Sequence, residues 1–310
     1  MVAHTHWDRE WYAPFQVFRL RLVDALDELL DRLRSDPAWT SFLLDGQMAA
    51  LDDYLELRPA AEEEVRALAG DGRLLLGPWY VLMDEFLVSG ETILRNLEMG
   101  LRRAADFAGA MPVGYLPDMF GHIAQMPRLL RLAGLTEAVV WRGVPARIDR
   151  HTFTWSSPGG ASVRAEYLPV GYSAGAALPL DADQLVARVE AYAAEVGALY
   201  PDPDQRILLM AGGDHQLPGA GLPASLDKAN RAQEGVALEL CSLPAYLAAR
   251  PEGELPAWEG ELRSGARANL LMGVASNRVD VKQAAARAER ALERLAEPLA
   301  ATWLPPERWP

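Results

Sequence analysis

The chain has 310 residues, half of them hydrophobic, with 43 acidic against 30 basic side chains and a net charge of −13. This apolar content excludes a disordered chain and supplies a sizeable core. The acidic balance disfavours binding to a phosphate backbone and gives no attraction to anionic membranes, so neither nucleic acid nor membrane is expected as a partner. The single cysteine, Cys241, rules out an internal disulfide framework. Beside the apolar run Val236–Leu240 it is expected as a buried structural thiol. No apolar stretch is long enough to span a bilayer, and the N-terminus lacks a basic region followed by an apolar block, so a cytoplasmic location is expected.

Short β-like runs alternate with longer helical ones. Met1 to His4 reads as a strand. Phe15, Phe18, Leu22, Leu26, Leu29 and Leu33 then recur at spacings of three and four, which predicts an amphipathic helix stopped by Ser35-Asp36-Pro37. Strands follow at Phe42–Leu44, ending in Asp45-Gly46, and at Leu74–Leu76, ending in Gly77-Pro78, with helical segments on either side of Pro59 between them. A helix is predicted from about Glu91 to Phe107, a strand at Val113–Leu116 broken by Pro117, a helix over Ile123–Ala133, and strands at Ala138–Trp141 and Val163–Leu168. Asp183 is placed to cap a helix reaching about Leu199. A strand at Arg206–Met210, a helix over Pro223–Gln233, a strand at Val236–Leu240 and a long Ala-rich helix over Val281–Leu299 complete the chain. This alternation predicts an α/β fold with a parallel sheet and helices outside. Seven or eight strands in one uninterrupted run favour a closed or nearly closed (β/α) barrel.

The polar residues able to do chemistry follow strands. His6 and Asp8 come after the first, Asp118 after Val113–Leu116, Arg142 after Ala138–Trp141, and Asp214 and His215 after Arg206–Met210. In parallel α/β folds loops distant in sequence converge at that edge to build sites. On an extended strand end His6 and Asp8 point the same way, so an imidazole and a carboxylate can share one metal ion; zinc accepts that mixture. An isolated His-x-Asp is more often a pair of solvated polar residues, but here Trp7, Trp11 and Tyr12 crowd the same loop, and sugars stack on aromatic rings. Asp118 sits on a short connection between Pro117 and Gly121, as a third metal ligand, a catalytic carboxylate or a helix cap. Asp214 follows Gly212-Gly213 and, alone, reads best as a solvent-facing turn residue. Two carboxylates on different strand ends are what glycoside hydrolysis requires, one attacking the sugar carbon and the other moving a proton.

At these residues the sequence resembles glycoside hydrolase family 38, the α-mannosidases, and within it the bacterial branch that includes mannosylglycerate hydrolases. The resemblance rests on His4-Thr5-His6-Trp7-Asp8-Arg9-Glu10-Trp11-Tyr12, Leu44-Asp45-Gly46-Gln47, Gly77-Pro78-Trp79-Tyr80, Asp84 to Glu91, Leu116-Pro117-Asp118-Met119-Phe120-Gly121-His122, Trp141-Arg142-Gly143, Pro169-Val170-Gly171-Tyr172 and Gly213-Asp214-His215-Gln216. It implies a seven-stranded (β/α) barrel and a retaining hydrolase that cleaves α-mannosides through a covalent glycosyl-enzyme. One Zn2+ would be held by His6, Asp8 and Asp118. Asp118 would also be the nucleophile and Asp214 the general acid/base. Trp11, Arg142, Tyr172 and His215 would contact the carbohydrate. The family's fourth zinc ligand, a histidine in a later His-Asp motif, has no counterpart after His215. The expected assignment is therefore one incomplete catalytic domain over residues 1–310, without the family's helical and β-sandwich domains and with oligomerisation left open. Two alternatives compete: an inactive remnant that binds sugar and zinc, and a metal-dependent polysaccharide deacetylase with a similar barrel and metal ligands.

Overall fold

Every residue of the first strand is buried, as a parallel strand covered on both faces must be. The structure, a computed structural model, describes residues 1–202, 205–251 and 253–308. The described strands are β1 (Val2–Thr5), β2 (Phe42–Leu44), β3 (Leu74–Leu75), β4 (Gly114–Leu116), β5 (Glu137–Val140), β6 (Thr152–Ser156), β7 (Ser162–Tyr167), β8 (Met210–Ala211) and β9 (Ala257–Glu259). The main helices are α1 (Phe15–Ser35), α2 (Ala49–Leu55), α3 (Glu62–Gly70), α4 (Gly90–Ala105), α5 (Met126–Leu132), α6 (Ala182–Val196), α7 (Leu222–Ala232), α8 (Leu243–Ala248), α9 (Val279–Ala291) and α10 (Glu297–Trp303).

The expected α/β architecture with parallel strands is present, but the ladders resolve into two sheets. One has the order β3-β2-β1-β8, all parallel. The other has the order β4-β5-β7-β6-β9, in which β4, β5 and β7 are parallel and β6 runs antiparallel to β7. Between β3 and β4, among the described residues, one backbone hydrogen bond joins the two stretches, from Met111 N–H to Leu76 O (2.8 Å). Pro78 and Pro112 flank it and have no N–H to extend a ladder. Past β7, Gly175 N–H donates to Met210 O of β8 (2.8 Å). Side chains from both sheets nevertheless share one interior. Val2, Leu43, Tyr115, Val139, Leu168 and Met210 form a single buried cluster, which Leu243, Tyr246 and Leu247 of α8 also join.

Several expectations are corrected. Of the expected Arg206–Met210 strand only Met210 pairs, in β8 with Ala211, and Val236–Leu240 forms no ladder. Both are apolar runs that bury only some of their residues, Leu208 to Met210 in one and Leu238 in the other, a pattern that periodicity cannot separate from a strand. The hairpin strand β6 and the edge strand β9 were not anticipated. Asp181, not Asp183, caps α6, its carboxylate accepting from Gln184 N–H (3.1 Å). Cys241 is only partly buried. The Ala-rich segment is helical but broken, with a wider turn at Leu292–Ala296 between α9 and α10. It docks through its polar face: Glu289 and Glu293 meet the Ser89 and Thr92 hydroxyls at the start of α4, where the helix dipole favours carboxylates. Leu292, Leu295 and Leu299 face outward. No described helix is long and apolar enough to cross a membrane.

A buried polar cluster ties β5, β6 and β7 to α8. Glu166, fully buried, accepts from the Thr152 hydroxyl (2.8 Å), the Tyr246 hydroxyl (2.8 Å) and Arg250 Nη1 (3.0 Å), and lies 2.8 Å from His151 Nδ1. Burial alone would raise its pKa; the donors, His151 first, hold it below the usual carboxylate range. Arg250→Ala would strand that buried charge. The expected cost is about 3–5 kcal/mol of unfolding free energy. A shift in denaturation midpoint corresponding to well under that would show that Arg250 is not the compensating charge.

Candidate active site

His6 lies one residue past β1. Its N–H donates to Gly213 O (3.1 Å), and its carbonyl accepts from His215 N–H (2.9 Å), so residues 6 and 214 face each other across a parallel bridge. The two ends of the sequence expectation are thereby joined. From the neighbouring strand, Asp45 follows β2 in a left-handed conformation (φ 48°) and is completely buried. Its Oδ1 lies 2.9 Å from His6 Nδ1, and its Oδ2 accepts from Trp7 N–H (2.8 Å) and Gln47 Nε2 (2.7 Å). With Nδ1 engaged by a carboxylate, Nε2 is left to act on the site, the arrangement by which a carboxylate behind a metal-binding histidine orients its ring. Nε2 lies 3.7 Å from Asp8 Oδ1 and 3.9 Å from Asp118 Oδ2. Burial disfavours a charged His6, but Asp45, Asp8 and Asp118 outweigh it and push the imidazole pKa up to about 9. The cluster therefore stabilises a positive charge at this point.

Asp118, just beyond β4, is held from two sides. Arg142 Nε, beyond β5, donates to its Oδ1 (2.7 Å), and the Tyr172 hydroxyl reaches its Oδ2 (3.4 Å). Burial raises the Asp118 pKa above the usual range; Arg142 and His6 pull against it. The Arg142 guanidinium also stacks on Trp141, 3.8 Å from the ring centre. Burial, with the nearby charges of Asp118 and Asp214, raises the Tyr172 pKa. Asp214 Oδ1 is buried and has no hydrogen-bond partner.

Asp8 is partly exposed. Burial alone would raise its pKa, but hydrogen bonding with His215 and the nearby His6 keep it below the usual range. His215, expected to contact substrate, is packed among Trp7 and Phe18, with ring centres 4.9 and 4.5 Å away. Its Nε2 accepts the Asp8 N–H (3.1 Å). Its position suits holding the Asp8 loop. Trp11 is 62% exposed, which leaves its face open to a ligand, with its ring 6.1 Å from that of His215. His4, never expected as a ligand, is fully buried with Nε2 2.8 Å from Tyr172 O.

The donor set fits a metal ion. One ligand atom each of His6, Asp8 and Asp214 lie within 4.8 Å of one another, with Asp118 adjacent through His6. An imidazole with carboxylates matches zinc's preferences, and the unpartnered Asp214 oxygen marks unmet polar demand. Sequence reasoning brought the first, fourth and last of these strand ends together correctly and gave no role to Asp45 or Gln47. Asp45 carried the same signal as the others: a carboxylate immediately after a buried strand.

The profile of the Glycosyl hydrolases family 38 N-terminal domain matches residues 1–261. The chain belongs to glycosyl hydrolase family 38. Among its relatives in this family is a protein of Halalkalibacterium halodurans provisionally named a mannosylglycerate hydrolase, 34% identical over 96% of this chain and 35% of the relative. Human alpha-mannosidase 2C1 is 26% identical over 54% of this chain and 16% of its own length. The solved alpha-mannosidase from Enterococcus faecalis V583 superposes with a TM-score of 0.88 at 32% identity, covering 97% of this chain and 35% of that one. The chain thus spans about a third of the family 38 proteins that match it along its whole length.

The raised His6 pKa makes a signed prediction for metal-free protein. Its stabilising contribution is complete below pH 6.5 and is lost as pH rises through about 9. Asp45→Asn should flatten that part of the Tm-against-pH curve in EDTA. Zinc competes with the same proton, so its stabilisation of the wild type should grow over the interval. An unchanged slope in the variant would remove Asp45 from this role.

Proposed function

We propose that this chain carries the zinc-binding catalytic site of a retaining α-mannosidase, and that its two sheets are arcs of one seven-stranded (β/α) barrel. The observation that supports this most directly is the convergence of His6, Asp8, Asp118 and Asp214 at the ends of β1, β4 and β8. Family membership also favours glycoside hydrolysis over deacetylation. The relatives' names bring α-mannosides forward as the substrate class.

In this reading Asp118 is the nucleophile. Arg142 fixes its Oδ1, and Oδ2, approached by the Tyr172 hydroxyl at 3.4 Å, is the oxygen that attacks the anomeric carbon. Asp214 is the general acid/base: its buried, unpartnered oxygen is suited to carry a proton to the leaving oxygen and then to take one from water. Trp11 offers the exposed face on which a sugar ring stacks, Tyr172 braces Asp118, and His215 keeps Asp8 in place. His6, Asp8 and Asp118 would hold the zinc. A bound Zn2+ would supply positive charge that keeps Asp118 ionised against its burial and would bind sugar hydroxyls.

With an aryl α-mannoside and added zinc, Asp118→Asn should fall to background. Asp214→Asn should lose about 10²–10⁴ in kcat. The first product seen by NMR should be α-mannose. A β-anomer would overturn the retaining assignment, and zinc binding without any turnover would establish the inactive, sugar-binding remnant instead.

A further inference from the structure

The segment 262–269, which follows β9 and lies just beyond the family-profile match, crosses the two loops that carry Asp118 and Arg142. Leu262 exchanges both backbone hydrogen bonds with His122, four residues after Asp118: His122 N–H to Leu262 O is 2.8 Å and Leu262 N–H to His122 O is 3.0 Å. Two residues on, Ser264 N–H donates to Gly143 O (3.0 Å), beside Arg142. Farther along, Asn269 O accepts from Arg142 Nη1 itself. Arg267 fastens the same segment to Ala146 O (2.9 Å) and Ile148 O (2.6 Å). Leu262 is completely buried, so this is a seated segment and not a loose surface loop.

Both loops are shaped to receive it. Gly121 (φ 94°) and Gly143 (φ 91°) adopt backbone conformations that side chains rarely take. A Cβ would stand 3.0 Å from Leu262 O at position 121 and 2.2 Å from it at position 143. On its far side the Asp118 loop is gripped by buried Glu85, whose Oε1 lies 2.7 Å from His122 Nδ1 and whose Oε2 accepts Ile123 N–H (2.9 Å).

We propose that residues 262–269 form a positioning strap that locks the Asp118 loop to the Arg142 loop and so sets the placement of the nucleophile. This rests on the α-mannosidase reading of the site. The strap touches neither the metal donors nor the sugar platform; it acts through Arg142 and His122. Misplacement by about 1 Å costs on the order of 100-fold in rate.

Two variants of the full chain test it. Gly143→Ala pushes the strap from the Arg142 loop, and Arg267→Met releases its distal tether without altering either loop. Gly134→Ala, at another left-handed glycine (φ 80°) with open space around it, controls for backbone strain alone. Three quantities are compared: amide exchange at Leu262 and Ser264, kcat and KM on an aryl α-mannoside, and zinc Kd by chelator competition. Both strap variants should exchange faster at those amides and lose about 10–100-fold in kcat with KM little changed, while Gly134→Ala does neither. Faster exchange with unaltered kcat would overturn the proposal, as would lost kcat with exchange unaltered. Should Gly143→Ala fail to fold, Arg267→Met decides alone. If the wild type hydrolyses nothing, the mannosidase reading falls, and zinc Kd decides the strap: about tenfold weaker binding in the variants supports it, and equal or absent binding overturns it.

Discussion

The site depends on β1 lying in register between β2 and β8. His4 pairs with Leu43 and Val2 with Met210, so alternate residues of β1 face the shared interior while Ala3 faces the helices. His6 continues the inward set by one more step. A slip of one residue would turn it to the opposite face and leave Asp45 and the Gly213 carbonyl without their partner. The same pairing accounts for what surrounds it. From one neighbour His6 receives Asp45 at Nδ1, from the other it receives Asp214 and His215. Orientation of the imidazole is therefore a consequence of strand order, not of a local loop.

Electrostatics then explains why so many charges tolerate this crowding. Asp8, Asp45, Asp118 and Asp214 converge on one imidazole, with Arg142 as the cation bonded to Asp118. Like charges at such spacing repel, and desolvation adds to the cost. The structure meets it in part by raising the His6 pKa and in part by raising that of Asp118. Each response is a request for positive charge, and a divalent cation answers both at once.

Much of this was legible in the sequence, because strand-end polar residues announce themselves by position. His6, Asp8, Asp118, Arg142 and Asp214 each follow an apolar run, and all reach one place. The short strands β1 to β5 were visible as short, largely buried apolar runs, and β7 by the alternation of Val163, Ala165 and Tyr167 with polar residues. What failed did so for physical causes. Val236–Leu240 has a strand's composition but packs without a ladder. β9 shows only Trp258 as an apolar anchor and pairs at an edge. The packing of His215 by Trp7 and Phe18 could not be read locally, because both are far away in the chain. The contribution of Asn269 and Leu262 is made by backbone atoms, which no residue identity encodes.

Two carboxylate clusters in one fold show how the same chemistry is used for opposite ends. Glu166 is surrounded by His151, Thr152, Tyr246 and Arg250, so its charge is matched by donors on every side and its pKa is driven down. That arrangement stabilises a fixed state and resists protonation. At the other cluster Asp214 keeps a buried oxygen without a partner, and Asp118 is left with a raised pKa despite its arginine. Nothing in packing requires that deficit: the chain demonstrates at Glu166 that it can satisfy a buried carboxylate fully. Asp118 and Asp214, at strand ends and less deeply buried than Glu166, keep a deficit that suits a site able to take up a proton, a cation and a substrate.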